Sequence, residues 1–152
     1  MEQKLSSDQV EELVGRFRAR TLAKEEWTHE AHLTVGLWFV YHHDFFDALC
    51  QIKSGIITLN ASFGGTNDGN SGYHETLTVF WAKIMAEYVR LSELPFEETI
   101  NNFLSTPLTE KNLPFEFYER ETLLSPPFRA VFHEPTLKTI DPEVISAILN
   151  KA

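Results

Sequence analysis

The sequence places three histidines beside carboxylates in two short motifs about forty residues apart. His29 and His32 lie in W-T-H-E-A-H-L, residues 27–33, and His74 lies in G-Y-H-E-T, residues 72–76. Neutral imidazole binds divalent metals and accepts protons, and a neighbouring carboxylate can ligate a metal or act as a base. The two motifs are therefore typical of a metal site or of an acid–base site.

Each motif predicts the first turn of a helix. Thr28 is a good N-cap for a helix over residues 28–43, and a second helix is predicted over residues 73–92. Between them, Asp44 is the expected cap of a helix over residues 45–62. Short connections make sequential helices antiparallel neighbours, so the starts of the first and third of these helices should share one end of a bundle.

The spacing of the histidines predicts where their side chains point. His29 and His32 are three residues apart, which places them on one helix face with Cβ atoms about 5–6 Å apart. His74 precedes Leu77 by three residues and Trp81 by seven, so it falls on the apolar stripe and should point inward. Burial and the positive end of the helix dipole both disfavour imidazolium, which keeps these rings in the neutral form.

These placements predict a small metal-dependent enzyme that acts on a small molecule. His29, His32 and His74 would bind Zn²⁺ or Fe²⁺ and leave one coordination position open, with Glu75 or Glu30 as a further ligand or general base. Hydrolysis and oxygen chemistry remain equally open. The residues expected to contact the ligand are Trp27, Asn67, Tyr73 and Tyr118, the last if the C-terminal region folds over the site.

Two other interpretations of the same histidines stay open. In the first, the aromatic residues line a pocket and the histidines only orient a bound small molecule, in a module without catalytic activity. In the second, the histidines are structural, because imidazoles near helix starts often form hydrogen bonds with loop carbonyls or carboxylates. The pair at positions 42–43 lies at the opposite end of its helix, where interaction with the helix C-terminus is the expected role.

The rest of the chain predicts an all-α fold. It is expected to be a helical bundle of four longer helices with an irregular, proline-rich C-terminal region carrying short helices, all in one domain over residues 1–152. A capping box of Ser6 with Gln9 predicts the start of the first helix. Further helices are predicted over residues 7–22, 95–105, 126–133 and 142–150, the last capped by Asp141.

Local patterns also predict parts of the core. Residues 33–41 are apolar on nearly every side, so the helix that carries them should be central, with Trp38 buried. Cys50 lies in an apolar helical pattern and is predicted to be an inert thiol in the core. It is the single cysteine of the chain, so an internal disulfide is impossible.

Composition excludes several classes of partner. The 152-residue chain has a net charge of −9 and no run of Lys or Arg, which argues against nucleic acid and against anionic membranes. No apolar run reaches the ~18 residues that a membrane span needs. A cytoplasmic protein with a small-molecule ligand is expected, and composition leaves its oligomeric state open.

The two histidine motifs resemble those of a family of uncharacterised bacterial proteins. W-T-H-E-A-H-L and G-Y-H-E-T-L-T-V-F carry the similarity, together with the residues around positions 117–118, 124–126 and 134–137. The resemblance covers most of the chain and implies a bacterial, cytosolic, stand-alone domain, but it implies no activity. The predicted architecture is also similar to the DinB-like helical bundles, which hold a three-histidine metal site among their helices.

Overall fold

The computed structural model describes residues 4–151 and is all-α, which confirms the predicted fold class. No strand occurs within these residues. Short 3₁₀ turns and a run of short helices occupy the proline-rich region, as the sequence predicts. The helices are α1 (Ser7–Ala19), α2 (His29–His42), α3 (Phe45–Ser62), α4 (Glu75–Ser92), α5 (Phe96–Leu104), α6 (Arg120–Leu123), α7 (Pro126–Ala130) and α8 (Pro142–Leu149).

Helix α2 is the centre of the bundle, as its apolar sequence predicts. It packs against α1, α3, α4 and α5, and its residues 33–40 are all buried. Trp38 is 8% exposed, and its indole Nε1–H donates to Glu11 Oε1 on α1 at 2.9 Å. Burial of the ring and satisfaction of its single donor together fix α1 against α2.

Most helix starts follow the predicted caps, because capping depends on neighbouring residues. Ser6 and Gln9 form the capping box of α1, and the Thr28 hydroxyl accepts from the Ala31 N–H at 3.1 Å. The Asp141 carboxylate caps α8 by accepting from the Val144 N–H at 2.9 Å. Asp44 occupies the predicted N-cap position of α3, but its side chain forms no capping hydrogen bond.

Several helix bounds differ from the predicted ones. Helix α1 ends at Ala19 instead of residue 22, because Arg20 adopts a left-handed conformation (φ 58°) that closes the helix. Helix α4 begins at Glu75 instead of residue 73, since His74 itself is the N-cap. Helix α7 ends at Ala130 instead of residue 133.

The prediction for Cys50 is wrong, because its side chain is exposed. Helix α3 buries only a narrow face, represented by Ala48, Ile52 and Leu59, against the rest of the bundle. Cys50 lies on the opposite, outer face of this helix. An apolar sequence pattern thus identifies the helix but does not determine which of its small residues face solvent.

The C-terminal region packs on α4, and so covers one side of the bundle. Both α7 and α8 contact α4, and the Tyr118 hydroxyl donates to the His133 carbonyl at 2.6 Å within this region. The Arg129 guanidinium donates to the Gly72 carbonyl at 2.7 Å and so ties α7 to the start of α4. No helix among residues 4–151 is long and apolar enough to cross a bilayer.

Candidate functional site

The starts of α2 and α4 meet at a cavity of about 400 Å³, hereafter the histidine cavity. His29, His32 and His74 all line it, together with the two residues before His74. The prediction that the two motifs share one end of the bundle is therefore confirmed.

The walls of the histidine cavity are mainly apolar and aromatic. Gly36 lies one helical turn below His32, and a Cβ atom there would lie 2.5 Å from Met85 Cε. The missing side chain at position 36 is thus what lets Met85 reach across the floor of the cavity. The apolar side chains that line it are Trp27, Leu33, Ile52, Ile56, Leu77, Trp81, Ala82 and Met85.

His29 is fixed by a backbone carbonyl from a distant part of the chain. Its Nε2–H donates to the Thr109 carbonyl at 2.8 Å, and its ring meets Trp81 edge-on with centroids 5.4 Å apart. Since a carbonyl can only accept, Nε2 carries the proton and Nδ1 is the unprotonated nitrogen of the neutral ring. The ring orientation and tautomer of His29 are therefore set by the segment that follows α5.

His32 is fixed within its own helix turn. Its Nδ1–H donates to the Thr28 carbonyl at 2.7 Å, and its ring lies 3.9 Å from the Trp27 ring, centroid to centroid. Burial lowers the pKa of His32 below its ordinary value, although the hydrogen bond to Thr28 acts in the opposite direction. His32 is thus held neutral, with Nε2 as a free acceptor in an apolar cavity.

His74 uses both ring nitrogens for hydrogen bonds to the backbone. Nδ1 accepts from the Leu77 N–H at 3.1 Å, which caps α4, and Nε2–H donates to the Leu123 carbonyl at 2.9 Å. The side chain is 7% exposed, so it points inward as predicted, and burial lowers its pKa. The structural interpretation of the histidines describes His74 well, since its ring joins α4 to the C-terminal region.

A metal bound by all three imidazoles would cost α4 the hydrogen bond that caps it, because His74 Nδ1 already accepts from the Leu77 N–H. Among residues 4–151, no three or more His, Cys, Asp or Glu side chains are grouped so that they could hold a metal ion. His29 and His32 each keep one nitrogen without a hydrogen-bond partner in the described chain. Their role as metal ligands stays a prediction.

Neither predicted catalytic carboxylate lines the histidine cavity. Glu75 accepts from the Tyr73 hydroxyl at 2.6 Å and forms an ion pair with Lys53. Burial, together with the Glu75 carboxylate, raises the pKa of Tyr73 far above its ordinary value. Glu75 therefore fixes the tyrosine beside the cavity, and its role as a general base stays a prediction.

Glu30 faces a second cavity on the other side of His29. This cleft, of about 600 Å³, lies between the N-terminal segment, α2 and α5, and only His29 and Leu33 line both cavities. The cleft is larger than the histidine cavity, but most of its lining residues have polar side chains, and neither of the other two histidines lines it. Its remaining lining residues are Lys4, Leu5, Gln9, Glu30, Asn101, Asn102, Leu104, Ser105 and Thr109.

The four predicted ligand contacts divide into two pairs. Trp27 and Tyr73 line the histidine cavity, whereas Asn67 and Tyr118 do not. Asn67 shapes the preceding loop by accepting from the Tyr73 N–H at 3.0 Å. Tyr118 is 1% exposed and directs its hydroxyl to the His133 carbonyl, away from the cavity.

Lys111 is a lining residue that the sequence analysis missed. It lies between two 3₁₀ turns, at residues 107–109 and 113–116, and its exposed side chain lines the histidine cavity. It forms no ion pair with any residue of the described range 4–151. No sequence pattern marks it, because only the folding of the segment after α5 brings it to the cavity.

Comparison of the chain with protein-family models, with curated proteins and with solved structures gives no significant match. The resemblance to the bacterial family and to DinB-like bundles therefore stays a prediction. The function has to be inferred from the residues of the histidine cavity.

Proposed function

We propose that the protein binds a small molecule, in the histidine cavity, through a mainly apolar contact surface. The observation that carries this proposal is the cavity itself, whose volume of about 400 Å³ lies within the roughly 300–1,000 Å³ of small-molecule sites. Mostly apolar walls with a few polar atoms are the usual composition of such sites. Burial of an apolar ligand face would provide the main free energy of binding.

In this function His29 and His32 orient the ligand. Each ring is held by one hydrogen bond to a backbone carbonyl, at Thr109 and Thr28, which leaves the second nitrogen as a potential acceptor in a fixed direction. A polar atom that is fixed before the ligand arrives costs little further ordering on binding. The imidazoles would therefore select ligands that carry a hydrogen-bond donor at a matching position.

Titration with the neutral fluorescent dye phenylnaphthylamine tests the proposal. We expect a saturable fluorescence increase with one dye per chain. Leu77→Trp adds bulk to a side chain that lines the cavity, so it should weaken the dye affinity by about tenfold or more, equivalent to at least about 1.4 kcal/mol. Ser105→Trp introduces the same side chain into the second cavity instead, and it is the matched control.

A second variant fills the cavity in another way, so that the test does not depend on the folding of Leu77→Trp alone. Gly36→Ala should push the Met85 methyl group away from α2 and reduce the space for the dye. Far-UV circular dichroism should show that both variants keep the helical content of the wild type. Equal dye affinity in the wild type, in Leu77→Trp and in Gly36→Ala would contradict binding in this cavity.

A metal-dependent enzyme is the second candidate, and the tautomers of His29 and His32 favour it. Imidazoles that bind metals usually donate their other N–H to a carbonyl or carboxylate, as these two rings do. Elemental analysis of protein purified without an affinity tag should then find one Zn or Fe per chain. His29→Ala and His32→Ala should abolish it, whereas the control His42→Ala should not. Unchanged metal content in the first two variants would contradict this candidate.

A further inference from the structure

We infer that the ligand of the histidine cavity is a small aromatic anion, of the monocarboxylate class, whose charged group binds to Lys111. The inference rests on the proposed function and adds the charge and shape of the ligand to it. Three features of the cavity support it: the charges of its lining residues, the occupation of its polar groups, and the shape of its walls.

The charge of the lining is opposite to that of the whole chain. The protein has 22 Asp and Glu against 13 Lys and Arg, yet no Asp or Glu lines the histidine cavity. Lys111 is its single lining Lys or Arg, and it has no ion-pair partner among residues 4–151. An ammonium group next to apolar walls attracts an anion more strongly than the same group in open water does.

The hydroxyl groups near the cavity and the nearby Lys53 ammonium already donate to partners within the protein. The Tyr73 hydroxyl donates to Glu75, and Lys53 is paired with the same carboxylate. The Thr78 hydroxyl donates to the His74 carbonyl at 2.8 Å. Lys111 is therefore the charged donor that remains for a ligand. The positive ends of the α2 and α4 helix dipoles also favour an anion at this end of the bundle.

The walls of the cavity suit a flat ring. The Trp27 and His32 rings lie against each other on one side, with centroids 3.9 Å apart, and Trp81 meets the edge of His29 on another side. Flat aromatic ligands gain both apolar burial and favourable ring contacts in such surroundings. Lys111 is exposed, so the carboxylate would lie at the mouth of the cavity and the ring would lie inside it.

A matched pair of ligands tests the inference. Naphthoate and methyl naphthoate share one ring system, carry no hydrogen-bond donor and differ in charge, and each can be titrated to displace bound phenylnaphthylamine. We expect naphthoate to displace the dye at about tenfold lower concentration than methyl naphthoate. Lys111→Met should bring the two ligands to within about threefold of each other, since the charge that distinguishes them has lost its partner.

Lys24→Met is the matched control, because Lys24 is also exposed and lines none of the cavities described above. It changes the net charge of the protein by the same amount and should keep the preference for naphthoate. Equal displacement by the two ligands, or a preference that survives in Lys111→Met, would overturn the inference while leaving the proposed function intact. Failure of the neutral dye itself to bind would overturn the proposed function and the inference together.

Discussion

His74 joins two distant parts of the chain through the two nitrogens of one ring. One nitrogen caps α4 at Leu77, and the other holds the carbonyl of Leu123 in the C-terminal region. Among the histidines of the cavity, it is the one whose hydrogen-bonding capacity is fully used by the protein. At the residue scale, its contribution is therefore expected to appear first in the stability of the fold.

His74→Ala should lower the free energy of unfolding by about 1–3 kcal/mol, measured by urea denaturation. The substitution removes the cap of α4 and leaves the Leu123 carbonyl without its donor in a buried place. His74→Asn is the matched variant, because asparagine is a good N-cap and should recover part of the loss. A loss below about 0.5 kcal/mol in His74→Ala would show that water replaces both hydrogen bonds at little cost.

Helix α2 determines the arrangement of the other helices, because four of them pack around it. Its burial on nearly all sides explains why both the core and the histidine cavity include its residues. The first turn carries the two histidines that face the cavity, and the middle of the helix carries Trp38. At the element scale, the position of α2 thus links the stability of the bundle to the geometry of the site.

Trp38→Ala should lower the free energy of unfolding by about 3–5 kcal/mol, the usual cost of truncating a large aromatic side chain in a core. The substitution also removes the donor to Glu11 and so loosens α1. Phe46→Ala is the control, because Phe46 is 80% exposed and should cost less than about 0.5 kcal/mol. Similar losses in the two variants would show that burial does not determine how much these rings contribute to the free energy of unfolding.

The stability of the whole molecule should depend on pH through the histidines whose pKa values are lowered in the folded state. Burial lowers the pKa of His74 in the folded state, so the unfolded chain takes up the proton more readily. The stability that neutral His74 contributes to the fold is complete above the ordinary pKa of 6.5, and it is lost as the pH falls toward the lowered pKa. His32 and His42 have lowered pKa values too and act in the same direction.

Urea denaturation at about pH 7.5 and about pH 5.5 measures this effect. The wild type should lose more stability between the two values than His74→Asn, because the variant lacks one of the groups that resist protonation. His32 and His42 are present in both proteins, so the difference between the two losses isolates His74. Equal losses would mean that His74 is protonated as readily in the folded protein as in the unfolded chain.

Much of the fold could be predicted from the sequence, because it depends on neighbouring residues. Ser6, Thr28 and Asp141 cap helices through hydrogen bonds that span only three residues, and such contacts are encoded locally. The apolar run of α2 predicts its burial and that of Trp38 for a similar reason. The meeting of the two histidine motifs at one end also follows from chain order and short connections.

The tertiary structure alone decides what each side chain of the site contacts. Thr109 and Leu123, whose carbonyls bind His29 and His74, lie 80 and 49 residues away along the chain. Lys111 likewise reaches the cavity only because the segment after α5 folds back across the bundle. Periodicity and capping describe neighbours within a few residues, so they determine that the histidines converge. Long-range packing determines which nitrogens, charges and walls a ligand would meet.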